Sequence, residues 1–114
     1  MHLAIFKIYP VTGSAPAVID VLESMKVSLA ADAACLACSV AFESGEDGAI
    51  VFTEQWQSLD AMRGHLRSTV FSRMLEAMEW SRKAPTTEFF DVTALGGMEV
   101  IEEARNRSPS VRVC

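Results

Sequence analysis

Three side chains between residues 50 and 71 have the types and spacing for chemistry. Glu54 and Trp56 lie two positions apart in an apolar run, and His65 follows nine positions after the Trp. A neutral imidazole can accept a proton near pH 7, and an indole can line a pocket while its N–H donates. A carboxylate in an apolar run needs a partner or a proton, and Arg63 or His65 could be that partner. We therefore predict His65 as a catalytic base, with Glu54 and Trp56 in a substrate-binding site.

Two further apolar residues belong to this candidate site. Phe52 shares its strand face with Glu54 and Trp56, and Met62 lies on the apolar stripe of the following helix. A methionine wall can adapt around a planar apolar ligand. Structural roles stay open for all of them: core packing for the apolar residues, an ion pair for Glu54, and a half-exposed position near a helix kink for His65.

A C-x-x-C motif, Cys35 to Cys38, is the other candidate for chemistry. As a metal half-site it lacks a second pair of ligands, and a redox motif should begin a helix, whereas this one opens a strand. Positions i and i+3 of a regular strand point to opposite faces. We therefore predict two packed, reduced thiols and no metal site. With Cys114 the total is odd, which favours a reducing compartment, the cytoplasm.

The composition excludes some classes of function. The chain has 114 residues, which is the size of one domain, and half of them are hydrophobic. A net charge of −5 argues against a nucleic-acid-binding protein, which usually has a basic face. No apolar run approaches the ~20 residues that span a bilayer, and the N-terminal residues do not resemble a signal peptide. We expect neither a nucleic acid nor a membrane as a partner.

Hydrophobic periodicity predicts the elements that must position these side chains. Alternating patterns predict strands, and apolar residues at i, i+3, i+4 and i+7 predict helices. The predicted elements are a strand at 2–9, a helix at 15–31, strands at 36–42 and 49–57, a helix after Ser58, a second helical stretch at 70–80, a strand at 86–95 and a short helix at 98–107.

This order, β-α-β-β-α-β, predicts the α+β fold class with a ferredoxin-like topology: a four-stranded antiparallel sheet with helices on one face. We assign residues 1–96 to this domain and residues 97–114 to a short C-terminal helix and tail. The strands are apolar on both sides, as the adjacent pair Phe89 and Phe90 illustrates. Because an uncovered apolar sheet face is a liability in a monomer, we predict a homodimer that packs sheet against sheet.

The run from Glu54 to Phe71, EQWQSLDAMRGHLRSTVF, resembles the signature of antibiotic biosynthesis monooxygenase (ABM) domains. Their pattern is E-x-W, a polar helix start, a His near the helix end and then small-x-x-Phe. The resemblance covers about residues 2–95 and implies a dimeric α+β barrel. Members with known chemistry oxidise electron-rich aromatics, quinols or haem with molecular oxygen, several of them without flavin or metal. The resemblance therefore implies a monooxygenase that acts on a small aromatic or quinol without a cofactor. Trp56 and His65 are the positions that match the family pattern.

One departure from the family pattern supports an alternative. The characterised oxygenases carry an Asn four positions before the Trp, where this chain has Phe52, and its one Asn is Asn106. The alternative is a dimeric α+β barrel that binds a small ligand, or has a stress-related role, without turnover.

Overall fold

The computed structural model describes residues 1–45 and 47–106, and within them the predicted β-α-β-β-α-β order is confirmed. Its elements are β1 (His2–Ile8), α1 (Ala15–Leu29), β2 (Cys35–Phe42), β3 (Ile50–Trp56), α2 (Leu59–Leu66), α3 (Ser72–Met78), β4 (Thr86–Asp91) and α4 (Met98–Asn106). The fourth strand ends at Asp91, four residues before the predicted end. The predicted tail, with Cys114, lies outside the described residues.

The four strands form one antiparallel sheet in the order β2-β3-β1-β4. The register sets His2 opposite Trp56 on one side and opposite Asp91 on the other. The central strand β1 therefore connects the residues of β3 with those of the edge strand β4.

The core lies between one face of the sheet and the helices. In β3 burial alternates strictly, and Ile50, Phe52, Glu54 and Trp56 are the buried positions. Helix α1 contributes the buried stripe Val18, Leu22, Met25 and Leu29 to the same core. The period of 2 in the strand and of 3.6 in the helix brings these two apolar faces together.

Hydroxyl side chains determine where the helices begin and break. Ser58 Oγ accepts from Ala61 N at 3.1 Å and caps α2, as predicted. The kink predicted after α2 is present, because Ser68 Oγ donates to His65 O and accepts from Phe71 N. Ser14 occupies the N-cap position of α1 but makes no capping bond, since its hydroxyl donates instead to Val11 O.

A β-bulge at Leu36 corrects the prediction for the two cysteines. Cys35 pairs with Trp56 and Cys38 pairs with Glu54, so both lie over the inner face of the sheet. The prediction that they point to opposite faces is wrong, because one extra residue in the strand shifts the alternation by one position.

The arginines Arg63, Arg67 and Arg73 differ in their surroundings. Arg63 and Arg67 are exposed. Arg73 Nη1 donates to Ser24 O at 3.2 Å and to Ser28 Oγ at 3.1 Å, and so joins α3 to α1.

Two elements remain uncovered. All of β4 is exposed, including Phe89 and Phe90, and α4 has no buried residue. Among the described residues, no helix is both long and apolar enough to cross a membrane.

Candidate active site

The buried carboxylate of Glu54 joins two of the predicted site residues. Its Oε1 accepts from Trp56 Nε1 at 3.0 Å, and its Oε2 lies 2.8 Å from His65 Nε2. Glu54 and Trp56 are 0% exposed and His65 is 6% exposed. Of the two partners proposed for Glu54, His65 is the actual one. We call these three residues the Glu54 triad.

Local geometry explains why the triad forms. Residues two apart in a strand share a face, so Glu54 and Trp56 point together towards the helices. The cap at Ser58 starts α2 shortly after β3 ends, and two helical turns place His65 over β3. The sequence left a half-exposed position near a helix kink open for His65, whereas the buried residues of α2 are Met62 and His65. The hydrogen bond to Glu54 turns this side of the helix inward and leaves Leu59 at 36% exposure.

Aromatic rings enclose the imidazole. Trp56 stacks on His65 with ring centroids 4.8 Å apart, and Phe71 meets it edge-on at 5.3 Å. Phe71 contacts Phe6, which in turn contacts Phe89 on the edge strand. The ring of His65 is thus held in one orientation within an apolar environment.

The bonding of Glu54 relates its protonation to the tautomer of His65. The indole N–H is a donor only, so Oε1 of Glu54 accepts from it, and Oε2 faces His65 Nε2. With an ionised carboxylate at Glu54, His65 Nε2 carries the proton and donates to Oε2, and Nδ1 keeps a free lone pair. Within the described residues, Nε2 is the ring nitrogen that bonds to a side chain, and the side chain of His65 is 3% exposed. A lone pair on Nδ1 can accept a proton.

An apolar groove of about 260 Å³ lies beside the triad, between the edge strand and α2. We call it the β4–α2 groove; its lining residues are His2, Leu59, Met62, Phe89, Phe90 and Asp91. Met62 is the one predicted site residue in this set. Phe52 lies instead in the core, where it is completely buried.

Sequence reasoning missed the other groove residues. His2, Phe89 and Asp91 come from strands far apart in the chain, and only the pairing of β1 with β3 and β4 brings them beside the triad. The one available signal was the apolar character of the last strand.

The two cysteines line a second cavity of about 280 Å³, with Lys26 and Leu29 of α1. Burial raises the pKa of Cys38 to about 12, and the neighbouring Cys35 and Glu54 add to this effect. Burial also raises the pKa of Cys35. Both groups therefore stay protonated near pH 7, unlike reactive thiols. The described residues contain no cluster of three or more potential metal-ligating side chains.

Comparison with known proteins decides the family. The sequence model for antibiotic biosynthesis monooxygenases matches residues 1–77. The chain belongs to the ABM family. ABM proteins bind small molecules and are often dimeric. A search of curated proteins finds no match.

Solved structures show the same fold. A candidate antibiotic biosynthesis monooxygenase from Deinococcus radiodurans superposes with a TM-score of 0.75 at 16% identity, over 85% of this chain and 97% of its own. Rv0793 from Mycobacterium tuberculosis gives 0.72 at 18% identity, over 82% of this chain and 95% of its own. Both are matched over nearly their whole length, whereas part of this chain has no counterpart in either.

Proposed function

We propose that this ABM protein is a cofactor-independent monooxygenase that acts on a small aromatic or quinol with molecular oxygen. The observation that carries the proposal is the Glu54 triad. A buried carboxylate that orients an imidazole through one ring nitrogen, and leaves the other to accept a proton, is the arrangement of a general base. Family membership supports an oxidation as the reaction type.

In this proposal His65 Nδ1 removes a proton from a hydroxyl or an activated ring carbon of the substrate. The resulting imidazolium forms an ion pair with Glu54, whose charge is already in place and needs no solvent reorganisation. The substrate anion is electron-rich and can pass an electron directly to oxygen. The rings of Trp56 and Phe71 keep water away from the reacting atoms.

The β4–α2 groove is the substrate-binding site in this proposal. The groove is apolar, and its lining residue Met62 is, like His65, a buried residue of α2. An unbranched thioether side chain changes rotamer at low cost. Movement of Met62 connects the groove with His65 Nδ1.

The protein is, in the same proposal, a cytoplasmic homodimer. The sheet face opposite the helices has no cover within the described chain and carries Leu3, Ile5 and the 42% exposed Phe90. A second copy would bury this face. Two free thiols whose pKa values are raised support a reducing compartment.

Oxygen uptake with a panel of quinols and hydroxylated aromatics tests the function. We expect consumption with at least one compound, and a loss of about 10²–10⁴-fold in His65→Ala, the usual size of a base contribution. Glu23→Gln changes an exposed carboxylate of α1 and should leave the rate unchanged. Unchanged turnover in His65→Ala, or no uptake with any compound, contradicts the proposal.

The complete burial of Trp56 and Glu54 favours a second candidate, a binding protein without turnover. In that case hydrophobic aromatics occupy the β4–α2 groove and raise the melting temperature without oxygen uptake. A thermal-shift screen with the same panel separates the two candidates.

A further inference from the structure

Helix α4, Met98–Asn106, stands away from the rest of the molecule. None of its residues is buried, and the extents of the molecule are 54 × 35 × 20 Å. The radius of gyration is 17.7 Å, whereas a compact chain of this length has one of about 13 Å. The segment from residue 97 onward is about as long as the part of this chain that has no counterpart in the two solved relatives.

The helix is nevertheless strongly amphipathic. At 100° per residue, one side collects apolar residues and the other collects acidic and amide residues. The apolar side consists of Met98, Val100, Ile101 and Ala104, and Arg105 lies on it between Ile101 and Met98. Met98 is 66% exposed and Ile101 is 53% exposed. A nine-residue helix is marginal in water by itself, so this apolar side requires a surface to pack on.

The start of α4 is fixed rather than free. Gly96 has a φ of 142°, a conformation that side chains other than glycine rarely adopt. Gly97 N donates to Glu99 Oε1 at 2.8 Å, and this bond lowers the pKa of the Glu99 carboxyl. The helix therefore begins at a defined residue, and none of its apolar residues is buried.

We propose that the apolar side of α4 docks in the β4–α2 groove of a second copy of this chain, so that two protomers exchange their C-terminal helices. The inference rests on the homodimer of the proposed function. The groove presents Leu59, Met62 and Phe89, an apolar surface of the kind that the exposed side of α4 requires.

Charge complementarity supports a second copy as the occupant. Glu102 flanks the apolar side of α4 next to Met98. Arg63 and Arg67 are exposed on α2, the helix that contributes Leu59 and Met62 to the groove. Neither arginine takes part in an ion pair within the described residues. Glu102 of α4 can therefore meet the arginines of α2, and Arg105 of α4 can meet Asp91, which lines the groove.

The helix exchange adds to the sheet interface rather than replacing it. A stable interface buries about 1,200–2,000 Å² in total, more than two short helices supply. The exchange also covers Met62 and Phe89, so the α4 helix of one protomer and a ligand compete for the β4–α2 groove of its partner.

Isotope-filtered NMR on a mixture of ¹³C-labelled and unlabelled full-length chains tests the docking. We expect intermolecular contacts between the Ile101 methyl groups and the ring of Phe89. Contacts confined to one chain would show that α4 folds back on its own groove. Their absence, or a monomeric protein, would also overturn the inference.

A matched pair of variants gives a second readout. Ile101→Glu and Asn106→Glu each add one carboxylate to exposed α4, the first on its apolar side and the second on its polar side. We expect Ile101→Glu to weaken the dimer at least about tenfold in sedimentation, since it removes a buried aliphatic side chain. Asn106→Glu should leave the dimer unchanged, and equal behaviour of the two variants overturns the docking. Neither readout needs a substrate, so failure here is distinguishable from failure of the oxygenase proposal.

Discussion

Glu54 illustrates how one buried side chain can determine the chemistry of another. Its two oxygens each meet a nitrogen, one of the indole of Trp56 and one of the imidazole of His65. Because a buried carboxylate loses its hydration, these bonds are the compensation that keeps it in the core. The same bonds leave one imidazole nitrogen with a free lone pair.

The cysteines provide a prediction at the residue scale. Because burial raises the pKa of Cys38 from its ordinary 9.0 to about 12, its thiolate fraction at pH 8 should be roughly a thousandfold lower than that of a free thiol. In a Cys35→Ser, Cys114→Ser background, Cys38 is the one remaining thiol. We expect its alkylation at pH 8 to be at least about 100-fold slower in the folded chain than in urea.

The same raised pKa determines the sign of a pH effect on stability. Between about pH 9 and pH 12 the thiol of the unfolded chain ionises while the folded one keeps its proton. The free energy of unfolding should therefore fall as the pH rises through this window. Equal alkylation rates in the folded and unfolded chains would contradict both expectations.

Some of the site could be predicted at the residue scale. The spacing of Glu54, Trp56 and His65 was sufficient to select them, and His65 was one of two partners considered for Glu54. The Trp56–Glu54 bond was not predicted, because the indole orientation depends on packing against His65 and not on strand periodicity. Phe52 was selected by the same face argument, but it packs in the core.

At the scale of elements, α1 is the helix with the clearest apolar stripe, and it also gives the clearest stability prediction. Leu22 is 0% exposed and Val27 on the same helix is 74% exposed. Leu22→Ala should lower the free energy of unfolding by about 2–5 kcal/mol, because it leaves a cavity in the core. Val27→Ala should change it by less than about 0.5 kcal/mol.

Chemical denaturation of the two α1 variants checks this. Similar midpoints for Leu22→Ala and Val27→Ala would contradict the assignment of the buried face of α1.

The errors in the predicted strands have local causes. The bulge at Leu36 was not predicted because the run from Cys35 to Val40 is apolar or small throughout, and an inserted residue does not disturb such a pattern. The fourth strand was predicted four residues too long because Val92 to Leu95 has the composition of a strand. Pairing with β1 ends at Asp91, where its partner is His2 near the start of the chain.

At the scale of the whole molecule, several apolar surfaces have no cover within the described residues. The fold of residues 2–91 has a core on one side of the sheet, whereas the opposite face, the edge strand and α4 are uncovered. Periodicity predicted each of these elements but could not predict which of them pack within one chain. The helix exchange that we propose would link the oligomeric state to the candidate active site.

The central claim is that Glu54 holds His65 in the tautomer that leaves Nδ1 unprotonated. A long-range ¹H–¹⁵N correlation spectrum at pH 7 reports the protonation of each ring nitrogen directly and needs no substrate. The substitution His2→Gln leaves His65 as the only histidine. The account predicts a protonated Nε2 and an unprotonated Nδ1. It also predicts the opposite tautomer in Glu54→Gln, where the amide N–H₂ can donate to Nε2. A proton on Nδ1 of His65 in the otherwise unchanged chain would contradict the account.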